Sequence, residues 1–124
     1  MPLINIKKFL ESAAMDSEFK REMRYFDGSI RLGVGDDESH VLTFRDGVMT
    51  AGTGTAGTNA GIFVEGSEAQ WAAMLEPLPR PFFQSLQSSA VRHGVKLSAT
   101  DVTFAYLPGL NRMMQLLRIS HKEG

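Results

Sequence analysis

Between Ala60 and Gly94 the chain reads AGIFVEGSEAQWAAMLEPLPRPFFQSLQSSAVRHG, and its hydrophobic period changes there within a few residues. Ala60, Ile62 and Val64 alternate with Gly61, Phe63 and Glu65, the two-residue period of a strand with unlike faces. Ser67 stands three residues before Gln70, the spacing of a capping box, in which two side chains satisfy backbone N–H groups at a helix start. Trp71, Met74, Leu75 and Leu78 then recur at helical spacing and form one apolar stripe. Pro79 and Pro81 are expected to end that helix, because proline lacks the amide donor and restricts its predecessor, while Pro81 suits the first turn of the next helix. The second helix is expected to turn Phe82, Phe83, Leu86 and Ala90 inward and to place Arg92 and His93 in its last turn, where cations favour the helix dipole. Gly94 is its left-handed stop. Almost none of these side chains suits covalent or acid–base chemistry, which points to a surface built to hold something apolar.

The flanking sequence supplies further helices and strands. Leu3, Ile6, Leu10, Ala13 and Ala14 keep helical spacing, and after the N-cap residues Asp16 and Ser17 it resumes at Phe19, Met23 and Phe26. This gives one interrupted helix or two short ones, closed by Asp27-Gly28. The period then shortens: Ile30, Leu32 and Val34 form a strand, Gly35 to Glu38 a solvated turn, Val41 to Arg45 a second strand, and Asp46-Gly47 a two-residue hairpin into Val48-Met49-Thr50. After Gly94, Val95 to Leu97 reads as a short strand and Ser98 to Asp101 as a turn able to cap the next segment. Val102 to Tyr106 reads as either a strand or a helical turn. Leu110, Met113, Met114 and Leu117 stripe a terminal helix whose other face carries Asn111, Arg112, Gln115 and Arg118, and the polar end His121-Lys122-Glu123-Gly124 is expected to fray. The fold class is α+β, one domain with an antiparallel sheet.

Several function classes are disfavoured. At 124 residues and 43% hydrophobic composition, the chain has the size of one domain with one core. A net charge of -1, without a lysine or arginine cluster, argues against nucleic acid and anionic membrane surfaces. There is no cysteine, so disulfides and thiolate metal sites are excluded. The first fifteen residues are amphipathic rather than continuously apolar, so neither a signal peptide nor membrane insertion is expected. Gly52-x-Gly54-x-x-Gly57 matches a dinucleotide-binding pattern, but strand-like sequence comes after it where that site needs a helix. His40, His93 and His121 lie far apart without metal-ligand spacing, and are read as an exposed strand start, a dipole-favoured helix end and a tail residue. Asp101 is explained as a cap and Tyr106 as an amphipathic pocket or interface residue rather than as an acid–base pair. No serine sits in a nucleophile elbow. No metal, cofactor or enzymatic activity is expected.

Four stretches carry a likeness to a known family: Phe26-Asp27-Gly28-Ser29-Ile30; Arg45-Asp46-Gly47; Ile62-Phe63-Val64-Glu65-Gly66-Ser67 with Trp71 and Leu75; and Tyr106-Leu107-Pro108-Gly109-Leu110-Asn111-Arg112. With the order of elements, they resemble the sterol carrier protein type 2, or non-specific lipid-transfer, family. The resemblance covers residues 17–119, leaving 1–16 as an N-terminal helical extension and 120–124 as a tail. Many members have Gly-Asp after the last short strand, where this chain has Thr100-Asp101. The resemblance implies a five-stranded antiparallel sheet covered by helices and a tunnel for sterols, fatty acyl chains or their CoA esters. The chain ends without the Ser-Lys-Leu type signal of peroxisomal relatives, so a cytoplasmic location is expected.

The candidate ligand-binding residues are Trp71, Met74, Leu75, Phe82, Phe83, Leu86, Tyr106, Leu110, Met113, Met114 and Leu117. Taken singly, each also reads as ordinary core. Seven methionines add weight to the set, because methionine fills irregular or variable spaces. Burying ten methylenes would contribute roughly 8 kcal/mol at about 0.8 per group, before the cost of immobilisation. The expected function is therefore binding or carriage of a hydrophobic small molecule. In the competing reading the same faces form a homodimer or dock on a partner enzyme, with little ligand binding.

Overall fold

A computed structural model describes residues 3–36, 38–53, 61–76, 79, 85–98 and 100–123. Its elements run α1 (Ile6–Met15), α2 (Ser17–Met23), β1 (Gly28–Val34), β2 (Glu38–Arg45), β3 (Val48–Thr53), β4 (Ile62–Gly66), α3 (Glu68–Met74), α4 (Leu86–His93), β5 (Lys96–Leu97), α5 (Asp101–Ala105) and α6 (Leu107–Glu123). Five helices start where a side chain accepts an otherwise free amide proton, as helix ends require. Asn5 caps α1, Asp16 caps α2, Ser67 caps α3 with the full Gln70 capping box, Ser85 caps α4 and Thr100 caps α5. Extended backbone at Asp16 makes the N-terminal pattern two helices, and the Thr100 cap makes the ambiguous Val102–Tyr106 segment helical.

Strands β2 and β3 are longer than expected, beginning at Glu38 and ending at Thr53, and three helix boundaries differ. Helix α3 ends with Leu75 as its C-cap rather than near Pro79, because Pro77 already disfavours helical backbone at Glu76. Helix α2 stops at Met23, so Phe26 lies in the turn before β1. Helix α6 continues to Glu123, and His121 Nδ1 lies 3.1 Å from the carbonyl oxygen of Leu3. The expected helix start at Pro81, with Phe82 and Phe83, falls outside the described residues.

The strand order is β3-β2-β1-β4-β5. Strand β1 pairs antiparallel with β2 and parallel with β4, and the β2–β3 and β4–β5 pairs are antiparallel. The sheet is therefore mixed, which corrects the expected antiparallel one. Strand β4 does not extend the meander beside β3. It takes the far side of β1 in the direction that β3 already runs, and alternation of side chains carries no information about either choice. The hairpin at Asp46-Gly47 formed as expected, with positive φ at both residues. Glycine is required there for a second reason: a Cβ on Gly47 would come within 2.6 Å of the backbone oxygen of Arg24.

One face of the sheet is apolar. Ile30, Leu32, Val34, Leu42, Phe44, Ile62 and Val64 are all buried on it. An aromatic chain ties the helices to this face. Phe9 of α1 meets Phe19 of α2 at 6.1 Å, Phe19 meets Phe44 of β2 at 6.2 Å, Phe44 meets Phe26 at 5.2 Å, and Phe26 meets Tyr106 at 4.9 Å between centroids. These are edge-to-face or tilted contacts, the favoured aromatic geometries. Helix α6 packs against α1, α2, α4 and α5. Among the described residues no helix is long and apolar enough to cross a membrane.

The carboxylates of Asp16 and Glu38 each join segments remote in sequence. Asp16 Oδ2 accepts from the Phe19 amide at 2.8 Å, and its two oxygens accept from Arg112 Nε at 3.0 Å and Nη2 at 2.6 Å. The Arg112 guanidinium, with help from that amide, holds the Asp16 carboxyl below its ordinary pKa against the opposing effect of burial. Burial likewise opposes ionisation of Glu38, but hydrogen bonds from His40 and from the amides of Ile4 and Leu3 outweigh it and lower its pKa. His40 is 8% exposed rather than an exposed strand start. A depressed carboxylate stabilises the fold above its unfolded pKa, near about pH 4, and the contribution disappears as pH falls through the folded value. Replacing Asp16 by alanine should cost about 2 kcal/mol at neutral pH, from the lost cap and charge-assisted bonds. In thermal melts the parent chain should lose stability steeply below about pH 4, and Asp16→Asn should start lower and lose less over the same interval.

Candidate functional site

The structure gathers eight of the eleven expected site residues into one core. Trp71, Met74 and Leu75 come from the end of α3, Leu86 from α4, and Leu110, Met113, Met114 and Leu117 from α6, with none more than 2% exposed. Tyr106 is half-buried and packs on Phe26. Phe82 and Phe83 lie outside the described residues. The Trp71 indole Nε1–H donates to the Gly33 carbonyl at 2.8 Å, which fixes α3 against β1. Arg118 Nε donates to the Met74 carbonyl at 2.9 Å, placing a cation at the negative end of α3. Burial lowers the Arg118 pKa.

Two cavities are lined by other residues. The first, about 360 Å³, lies where α1 and α2 meet β2 and β3, and is walled by Leu10, Ala14, Phe19, Met23, Phe44 and Met49. Ala13 also lines it, and among the described residues Lys20 is the one charged side chain that does so. Ala13, which is buried, and Ala14, which is exposed, line it with small side chains. The sequence signal was present, since Ala13 and Ala14 continue the Leu10 stripe. Helical spacing alone does not distinguish a filled interface from one left open.

The second cavity, about 670 Å³, lies at the carboxyl ends of β1 and β4 and extends over the sheet face opposite the buried aromatics. Arg31, Glu38, Glu65 and Lys96 line it together with four glycines, and Arg31 is ion-paired with Glu65. The Arg31 guanidinium also lies 5.8 Å from the centre of the Phe63 ring. Among the described residues no group of three or more histidine, cysteine or acidic side chains is arranged to hold a metal ion. The Gly52-x-Gly54-x-x-Gly57 pattern begins in β3, and Gly54 and Gly57 fall outside the described residues.

No protein-family model and no curated protein matches the chain. Solved structures do match. A crystal structure of sterol carrier protein 2 superposes with a TM-score of 0.72 at 17% identity, covering 90% of this chain and 92% of the other. The fold is that of sterol carrier protein 2. The sterol carrier protein domain 2 of Helicoverpa armigera gives a TM-score of 0.61 at 15% identity, with 88% of this chain and 84% of the other covered. A UbiJ-SCP2 ubiquinone synthesis protein gives 0.53 at 14% identity, covering 93% and 96%. At these identities the sterol-carrier likeness describes backbone architecture, and the chemistry rests on this chain's own side chains.

The Trp71–Gly33 bond makes the core testable. Trp71→Phe should cost about 2–3 kcal/mol, combining lost packing volume with an unpaired Gly33 carbonyl. Chemical denaturation with an unchanged slope against denaturant would show that only stability had changed.

Proposed function

We propose that this chain binds and carries a hydrophobic small molecule, a lipid, fatty acyl or sterol-like compound, without chemical reaction. The observation that supports this most is the apolar cavity between α1, α2 and the β2–β3 edge, found in a chain with the sterol-carrier fold. Its 360 Å³ falls within the range of small-molecule sites, roughly 300–1,000 Å³. Two of its walls are the methionines Met23 and Met49, whose flexible side chains accommodate ligands of different shape. The helices that wall it, α1 and α2, pack against α6, which carries Met113 and Met114.

A second reading draws on the outer surface. Phe104 is 59% and Val91 81% exposed, and the fold is shared with a ubiquinone synthesis protein. On this reading those side chains would belong to a contact surface, and the chain would act as a homodimer or as the accessory subunit of an enzyme.

Native mass spectrometry, followed by denaturing extraction, separates the two readings. Carriage predicts a stoichiometric adduct that releases a lipid. Ala14→Trp, which places a large side chain into the cavity from an exposed helical position, should lower its occupancy at least about tenfold, the loss of roughly two buried methylenes' worth of contact. A ligand-free dimer, or an adduct indifferent to Ala14→Trp, would overturn the cavity proposal.

A further inference from the structure

Helix α6 carries a glycine in its first turn that its backbone conformation does not call for. Gly109 has none of the positive φ angles found at Gly28, Gly35, Gly47 and Gly94, and alanine is the better residue inside a helix. The requirement comes from α2. A Cβ at position 109 would overlap the sulfur of Met23, and Met23 Cγ and Glu22 Cβ lie 3.2 and 3.3 Å from the same point. Met23 is buried and is also a wall of the apolar cavity. Its side chain therefore lies against α6 and borders the cavity, and the bare backbone at Gly109 is what lets the thioether seat on that helix.

The frame around Met23 is fastened on both sides. At the start of α2, Asp16 pairs with Arg112 of α6 at 2.6 Å. Just beyond its end, the Arg24 backbone packs on Gly47 of the β2–β3 hairpin, whose amide donates to the Phe26 carbonyl at 3.2 Å. Arg112 follows Gly109 by about one helical turn, so the spacing of α2 and α6 is held beside the glycine. A side chain added at position 109 is then accommodated by the most adaptable neighbour, the unbranched thioether of Met23 with its rotatable bonds. Close-packed interiors leave few voids, and the space open to Met23 is the cavity that it already borders.

We propose that Gly109 is a specificity-determining position of the apolar cavity: by seating Met23 on α6 it keeps the cavity deep enough for a long apolar chain. It is a positioning residue, acting through Met23 rather than by touching the ligand, and this role rests on lipid carriage by the same cavity. Octanoate and hexadecanoate serve as probes, each titrated against the parent chain, Gly109→Ala, Met23→Ala and the double variant. Gly109→Ala should fold and should weaken hexadecanoate at least about tenfold, the displaced sulfur and methyl being worth roughly two methylenes. Octanoate, which needs less depth, should change by less than about threefold. In the Met23→Ala background the same substitution should leave both affinities unchanged. Without any ligand, the Met23 methyl of Gly109→Ala should move towards Met49, another wall of the cavity, seen as stronger nuclear Overhauser contacts between the two methyl groups. Failure of Gly109→Ala to fold, an equal loss for both acids, a loss that persists with Met23→Ala, or an unmoved Met23 methyl would overturn this role. Binding of neither acid to the parent would instead count against carriage, and the methyl contacts would then decide whether Gly109 shapes the cavity.

Discussion

The sheet's single apolar face is the constraint on which the rest of the molecule depends. Ile30, Leu32, Leu42, Phe44, Ile62 and Val64 point to one side, and water must be excluded from that side for the sheet to persist. Helices α1, α2, α3 and α6 therefore bury residues on one layer, and the aromatic contacts from Phe9 to Tyr106 join α1, α2 and the C-cap of α5 to Phe44. The opposite face is left with Arg31, Ser39, Glu65 and Lys96. A protein of two unlike faces results, with an apolar cavity on the covered side and a polar cleft on the other.

Specific polar contacts hold this layered packing in register. Asp16 serves at once as the cap of α2 and as the partner of Arg112 on α6, joining residues 96 positions apart. Glu38 performs the same task for the N-terminal segment, through Leu3 and Ile4. Trp71 joins the helix layer to the sheet through the Gly33 carbonyl. Gly33 also lines the polar cleft, so the tryptophan joins the core to a residue of that cleft. Apolar burial supplies most of the stabilisation but is non-directional, and these bonds select one arrangement among the many that would bury the same surface.

Much of the fold is legible from local patterns. Ser67 and Gln70 announce a helix start that forms as a capping box, Asp46-Gly47 announces a hairpin, and Gly94 stops α4 in the left-handed conformation. Each is settled within four or five residues. Pro77 shows how narrowly such a reading can miss, since its effect on Glu76 ends α3 before Pro79 and Pro81 are reached. The candidate site is less legible. Trp71, Met74, Leu110 and Met114 do converge, as their shared periodicity implies, but they form filled core. The open space lies elsewhere, beside Ala13 and Ala14, because a cavity is defined by atoms that facing elements fail to supply. His40 escapes a local reading for a related reason: the docked N-terminal segment that shares its partner Glu38 is a neighbour only in the folded chain.

By itself the sequence determined the kind of most elements, though not of Val102–Tyr106, most of their caps and turns, and which side of most strands and helices is apolar, because these depend on contacts within a few residues. Only the tertiary structure decided that β4 lies parallel to β1, that Arg112 reaches Asp16, that the apolar space opens between α1, α2 and β3, and that Ser39, Glu65 and Lys96 share a row. Each of these depends on distances between segments remote in the chain, and local periodicity does not encode such distances.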